Sequence, residues 1–103
     1  MNKRLPVRIV SSAARAIAEA ADWWAVNRPK APEAFAEEIE RALELIAFQP
    51  GVGAKARNTK LAGVRRIHLA RVHYYLYYRL TDSPPEVEVL ALWHASRGSK
   101  PNL

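Results

Sequence analysis

The sequence contains no cysteine, which excludes a disulfide-bonded scaffold, a thiol nucleophile and a cysteine-ligated zinc site. It also lacks a long hydrophobic run, since no stretch approaches the roughly 20 apolar residues that a membrane-spanning helix needs. The first ten residues, MNKRLPVRIV, are charged and do not contain the apolar core of a signal peptide. Together these absences predict a cytoplasmic protein without membrane contact.

Motifs for metals and cofactors are missing too. The three histidines have neither a cysteine nor a clustered carboxylate beside them, so we predict no metal site. A Walker loop, a dinucleotide-binding fingerprint and a Ser-His-Asp arrangement are also absent from the sequence. We therefore expect no cofactor.

Acidic residues are scarce in the second half of the chain. Residues 1–50 hold seven basic and seven acidic side chains, whereas residues 51–103 hold nine basic and three acidic ones. The whole net charge of +6 therefore lies in the second half. Such an excess favours an anionic partner, either nucleic acid or an acidic protein segment. A merely solubilising surface is the alternative interpretation.

The length and the apolar pattern indicate one small domain. A chain of 103 residues, half of them hydrophobic, is long enough to bury a single core. Leu5, Val7 and Ile9 alternate with other residues, which predicts a short strand. Two segments with helical spacing of apolar residues follow, separated by Pro29 and Pro32. Because a short connection joins antiparallel neighbours, we predict a helical hairpin.

The rest of the chain is predicted to form a loop and three strands. GVGAKARNTK, residues 51–60, has no periodicity and is predicted to be a basic loop. The runs VRRIHLA, VHYYLYYRL and EVEVLALWH are rich in residues that suit pleated strands. We predict a single α+β domain spanning residues 1–103. It consists of an N-terminal strand, an antiparallel helical hairpin and a three-stranded antiparallel meander, giving a small antiparallel sheet packed on the two helices.

Alternation within these strands separates a core face from a cationic face. Ile67 and Leu69 are the predicted core members, which leaves Arg66 and His68 on the outer face. The four tyrosines of YYLYYRL divide two by two across the sheet, so one pair is predicted to be core and the other to lie outside.

Four segments carry a resemblance to a known family. FQPGVG at the end of the second helix, GVRRIHL, YYLYYRL and VLALWHASR, in this order on a basic chain, resemble ParE of the RelE/ParE toxin superfamily. The resemblance extends from Val7 to about Lys100. It implies the RelE/ParE-like fold, a bacterial type II toxin that inhibits DNA gyrase, and a ParD-like antitoxin that binds and neutralises it.

The resemblance also implies an assembly and two binding surfaces. Toxin and antitoxin would form a heterotetramer or a larger complex, with operator DNA contacted only through the antitoxin. A disordered, partly acidic antitoxin segment is expected to pair with cations that this chain leaves uncompensated. The expected antitoxin-binding residues are Lys55, Arg57, Arg65, Arg66, Arg71, Tyr75 and Arg79. The expected target-binding residues are Trp93, His94, Arg97 and Lys100.

Two other functions stay open, because the superfamily shares one fold. RelE-like relatives cleave messenger RNA on the ribosome, and the catalytic set here would be Arg66, His94 and Arg97. RelE-like chains often have an arginine where this chain has Tyr75, so that set is incomplete, which favours a gyrase inhibitor that is not an enzyme. A structural role suits His94 equally well. The remaining possibility is a binding module without toxicity.

Overall fold

A computed structural model of the protein describes residues 3–103, in which two helices and five strands follow one another. In chain order these elements are β1 (Val7–Ile9), α1 (Ser11–Asn27), α2 (Ala34–Phe48), β2 (Ala54–Lys55), β3 (Arg65–Leu69), β4 (Tyr74–Thr81) and β5 (Glu86–His94). The strands form one sheet in the order β1-β5-β4-β3-β2. The α+β class and the predicted order of strand, helical hairpin and meander are confirmed.

Two details of the predicted sheet were wrong. The sheet is mixed and not antiparallel throughout, because β1 runs parallel to β5. Parallel pairing requires a long connection, and here most of the domain lies between the two strands. The predicted loop also contains β2, where Ala54 and Lys55 pair with Arg66 and Arg65 of β3. Two residues are too few to leave a pattern of period two.

The two helices pack on one face of the sheet, as predicted. Helix α1 ends at Asn27, whose side-chain amide donates a hydrogen bond to the carbonyl of Trp23 at 2.9 Å. Trp24 packs against the core, whereas Trp23 is 47% exposed. The guanidinium of Arg28 lies over both indole rings, at 4.9 and 5.4 Å from their centroids, and so covers the end of the helix.

The main core fills the space between the helices and the sheet. Burying each large apolar side chain there contributes about 1.5–3 kcal/mol. Its largest fully buried members are Phe35, Ile46, Val72, Leu76, Tyr78, Val87 and Val89. Leu69 belongs to the same core, and Ile67 packs against it, so the predicted orientation of β3 is confirmed.

The sheet face turned away from the helices, which we term the outer face, holds a second apolar cluster. Its buried members are Val64, Tyr77 and Leu90. A register shift between β4 and β5 at Tyr77 and Tyr78 places Leu90 in this cluster. The tyrosines divide as predicted: Tyr74 and Tyr78 join the main core, while the other pair lies on the outer face. Tyr77 is only 3% exposed, although it belongs to that outer pair.

Candidate functional site: a cationic groove on the outer face

Alternate residues of β3 and β4 build the floor of the candidate site. The guanidinium carbon of Arg66 lies 4.1 Å from the ring centroid of Tyr75. The ring of His68 lies 4.8 Å from the same tyrosine ring. A third contact joins Arg66 Nη1 to the Tyr77 hydroxyl at 3.5 Å. A cation over an aromatic face contributes about 0.5–1 kcal/mol at an exposed site, so Tyr75 helps to hold Arg66 on the sheet.

The segment after β5 forms one wall of the site. The indole N–H of Trp93 donates a hydrogen bond to the carbonyl of Ser99 at 2.8 Å, and the guanidinium carbon of Arg97 lies 4.1 Å from the indole centroid. Further along, the backbone N–H groups of Lys60 and Leu61 donate to a Leu103 oxygen at 2.6 and 3.3 Å. Residues 95–103 are therefore tied across the outer face, next to the loop that follows β2.

Two adjoining cavities lie along this segment. One, of about 280 Å³, separates it from the loop after β2, and the other, of about 220 Å³, lies beside the ends of β4 and β5. Both are lined by Arg66, Tyr77 and Lys100, so they form one feature, which we term the cationic groove. Its cations are Lys55, Arg57, Arg66, Arg97 and Lys100.

The cations of the groove have no acidic neighbour in its lining. No aspartate or glutamate is among the residues that line either cavity. Within residues 3–103, none of the five cations forms an ion pair with a carboxylate. Their charges therefore remain available to an anionic ligand.

Three of the arginines expected to contact an antitoxin lie outside the groove. Arg65 donates a hydrogen bond to the carbonyl of Gly53 at 2.7 Å. Arg71 pairs with Glu37 at 3.2 Å, and Arg79 pairs with Glu88 at 2.8 Å. The expectation of uncompensated charge was therefore wrong for Arg71 and Arg79, because each meets a carboxylate that another element supplies.

A cluster of ion pairs neutralises the other end of the outer face. Glu88, which is 6% exposed, lies between Arg79 and Arg8, and Arg8 also contacts Glu86. The hydrogen bond from Arg79, together with the nearby charge of Arg8, holds the pKa of the Glu88 carboxyl below its usual value. Two arginines face two glutamates, so this end of the outer face is balanced in charge, whereas the cationic groove is not.

The three candidate ribonuclease residues, Arg66, His94 and Arg97, all line the smaller cavity, but the histidine ring has contacts outside it. Arg66 and Arg97 lie on the outer face, but the ring of His94 packs edge-on against Tyr74 at 5.1 Å. Tyr74 in turn packs against Phe35 of α2 at 5.4 Å, on the helix side of the sheet. The backbone N–H of Ser96 donates to His94 Nδ1 at 3.1 Å. His94 thus borders the smaller cavity while its ring is engaged elsewhere.

Some groove residues were not predicted from the sequence. Tyr77 of β4 lines the larger cavity, and so do Asn58 and Thr59 of the loop after β2, although only Lys55 and Arg57 had been predicted as binding residues within residues 51–60. Within residues 3–103, no group of three or more histidine, aspartate or glutamate residues could hold a metal ion. Neither helix of this part of the chain has the length and apolar character needed to cross a membrane.

The fold and the groove define a small α+β domain with a helical hairpin on one sheet face and a cationic surface on the other. A solved structure described as "Chromosomal ParDE TA system from P. aeruginosa" has this fold, with a TM-score of 0.69, 18% sequence identity, and coverage of 90% of this chain and 98% of that chain. The sequence model of the family described as "ParE toxin of type II toxin-antitoxin system, parDE" matches residues 7–98. The chain therefore belongs to the ParE toxin family, as the resemblance had indicated. A comparison with curated protein sequences finds no match.

Proposed function

We propose that this protein is a cytoplasmic toxin that inhibits DNA gyrase by binding it, without catalysing a reaction. Membership of the ParE toxin family supports the toxin class. The observation that supports the choice of mechanism is the packing of His94, which borders the groove but whose ring contacts Tyr74 and whose Nδ1 accepts a hydrogen bond from the Ser96 N–H. Cleavage of RNA through its 2′-hydroxyl needs a proton acceptor and a proton donor, a contribution of about 10²–10⁴ in rate. The groove supplies cations but no carboxylate, and the Nδ1 acceptor of the imidazole that borders it, His94, is occupied by the Ser96 N–H.

The proposed target-binding surface is the end of β5 and the segment that follows it. Trp93, Arg97 and Lys100 lie together there, with His94 at the border. Aromatic and arginine side chains are enriched among residues that dominate binding energy at protein interfaces. The stacking of Arg97 on Trp93 arranges both side chains before any partner arrives, which lowers the entropy lost on binding.

We further propose that a ParD-like antitoxin neutralises the toxin by placing an acidic segment along the cationic groove. Lys55, Arg57, Arg66 and Tyr75, all expected to contact the antitoxin, line this groove. The expected antitoxin-binding residues outside it, Arg65, Arg71 and Arg79, already have partners within the chain. An antitoxin carboxylate at those positions would exchange one partner for another and gain little. The complex is proposed to be a heterotetramer or larger, with operator DNA contacted through the antitoxin.

A supercoiling assay with purified gyrase, run beside a ribosome-dependent RNA cleavage assay, tests the proposed target. We expect inhibition of supercoiling and no cleavage of messenger RNA. Cleavage without gyrase inhibition would overturn the proposal and select a RelE-like endoribonuclease. Absence of both activities would overturn it in favour of a binding module without toxicity.

A further inference from the structure

The cationic groove concentrates positive charge at one end of the outer face. Five cations line it without a carboxylate, whereas Arg8 and Arg79, at the other end of the outer face, are neutralised by glutamates. A concave surface lined by one sign of charge raises the local concentration of a ligand of the opposite sign. We propose that the groove binds the phosphate backbone of a single-stranded nucleic acid, an activity additional to the proposed gyrase inhibition and one that shares Arg97 and Lys100 with it.

The arginines of the groove are arranged to bind phosphate with their edges. Arg66 stacks on Tyr75 and Arg97 stacks on Trp93, with 4.1 Å between guanidinium carbon and ring centroid in both cases. Stacking uses the flat face of a guanidinium, so the N–H donors in its plane remain available. Two parallel N–H donors match two oxygens of one phosphate.

The interaction that a phosphate would replace at Arg66 is weak. Within the described chain, the side-chain hydrogen bond of this guanidinium is the one of 3.5 Å from Nη1 to the Tyr77 hydroxyl. Such a length is at the limit of a hydrogen bond. A phosphate would therefore gain a charge-assisted hydrogen bond without breaking an ion pair.

The other lining residues also suit a nucleic acid. Asn58, Thr59, Tyr77 and Ser99 carry amide or hydroxyl groups, which together with arginine and lysine bind most phosphate and sugar groups in known complexes. An acidic peptide, such as the antitoxin segment proposed above, would also satisfy the charges, but it would bring no base to stack on the two arginine–aromatic pairs.

Single strands fit better than duplexes because of the two arginine–aromatic stacks. Unpaired bases stack on guanidinium planes and on aromatic rings, and such stacking contributes sequence-tolerant affinity. A duplex keeps its bases paired and stacked on one another, so it would meet the groove through phosphates alone. Preference for single strands is therefore the distinguishing property of the proposed site.

Fluorescence anisotropy with labelled oligouridylate, oligothymidylate and a DNA duplex, each over a series of salt concentrations, tests the proposal. The site variant carries Arg66→Gln and Lys100→Gln. The control carries Arg4→Gln and Arg41→Gln, which remove two exposed cations that pair with glutamates of α2 and leave the same net charge. A circular dichroism melt of each variant checks that it is folded, and Arg66→Lys keeps the charge while removing the fork of donors.

We expect the control to bind each single strand with the same affinity as the wild type. Both proteins should bind single strands more tightly than the duplex. The site variant should bind single strands about tenfold more weakly for each charge-assisted hydrogen bond that it can no longer donate. Its slope of log affinity against log salt should become shallower by about 0.7 for each phosphate that it no longer neutralises. Arg66→Lys should give an intermediate affinity. Tighter binding of oligouridylate than of oligothymidylate would identify RNA as the ligand. Similar binding of the two would mean that the groove recognises the phosphodiester backbone that RNA and DNA share.

Three results would overturn the inference. Equal weakening in the control and the site variant would mean that net charge alone attracts the oligonucleotide. Tighter binding of the duplex than of the single strands would mean that the two arginine–aromatic stacks do not select unpaired bases. Finally, poly-glutamate that binds the wild type more tightly than either oligonucleotide, and whose affinity falls further in the site variant, would make the groove a site for acidic peptide only.

Discussion

The backbone N–H of Gly53 donates a hydrogen bond of 2.8 Å to the hydroxyl of Tyr78, and a Cβ atom at position 53 would lie 2.6 Å from that oxygen. The same hydroxyl donates to the carbonyl of Pro50 at 2.8 Å. Tyr78 is fully buried in the main core. The core therefore fixes the chain just before β2, and with it β2 and the loop that follows, which carry Lys55 and Arg57 respectively.

Gly53→Ala is expected to destabilise the fold by about 1–3 kcal/mol, the usual effect of forcing an extra carbon into a packed site. Urea unfolding at neutral pH measures the change. Gly51→Ala is the matched control, because no atom beyond its own chain neighbours lies within 4 Å of the position of its Cβ, and we expect a change within about 0.5 kcal/mol. Equal stability of the two variants would contradict the close approach of residue 53 to Tyr78.

Tyr78→Phe should cost about 1–3 kcal/mol, because it leaves the buried Gly53 N–H and Pro50 carbonyl without their partner. Burial raises the pKa of the Tyr78 hydroxyl above its ordinary value. Its contribution to stability is therefore complete below the unfolded-state pKa of about 10 and declines as pH rises from there through the folded-state value. Urea midpoints at neutral and alkaline pH measure both effects, and the variant should lose less stability than the wild type at alkaline pH. Tyr75→Phe, on the outer face, is the control and should change neither.

Glu88→Gln tests the ion pairs that neutralise one end of the outer face. The pKa of Glu88 is lowered in the folded protein, first by the hydrogen bond from Arg79. The contribution of the Glu88 carboxylate to the free energy of unfolding is thus present above the unfolded-state pKa of about 4.3. It is lost as pH falls through the pKa that Glu88 has in the folded protein. We expect the variant to be less stable than the wild type at pH about 7, with the difference shrinking toward pH about 2–3. Glu40→Gln, an exposed position of α2, should show no such convergence of urea midpoints.

His94→Ala distinguishes the two kinds of toxin. If the protein binds gyrase, loss of a ring that packs on Tyr74 should raise the concentration needed for half-inhibition of supercoiling only a few-fold. A ribonuclease using His94 for proton transfer would lose about 10²–10⁴ in rate. Arg97→Gln is the companion variant, because removal of an arginine at the centre of an interface often costs more than about 1 kcal/mol in binding. A larger effect of His94→Ala than of Arg97→Gln on gyrase inhibition would contradict the proposed target-binding surface.

Local pattern was sufficient to predict the helices, the meander and the two faces of β3. Pro29 and Pro32 interrupt two helical stretches, and the alternation of Ile67 and Leu69 with Arg66 assigns each side chain to a face. These features depend on neighbours in sequence, so the sequence displays them directly.

The pairing of distant segments could not be predicted in the same way. Nothing in the three residues of β1 indicates that they run parallel to β5. The ion pair of Arg71 with Glu37 joins residues 34 positions apart. The groove likewise depends on the Leu103 oxygen meeting the backbone of Lys60. Spacing reveals which face a side chain occupies, but it does not reveal which two segments will form opposite walls.

The pairing of Glu88 with Arg8 and Arg79 has a consequence for how the molecule meets its partners. Because one end of the sheet surface is electrically balanced and the other is not, the protein carries a permanent charge dipole along that surface. A dipole experiences a torque in the field of a polyanion. The toxin should therefore rotate during diffusion so that its unbalanced end arrives first, and raising the ionic strength should slow association more than it speeds dissociation.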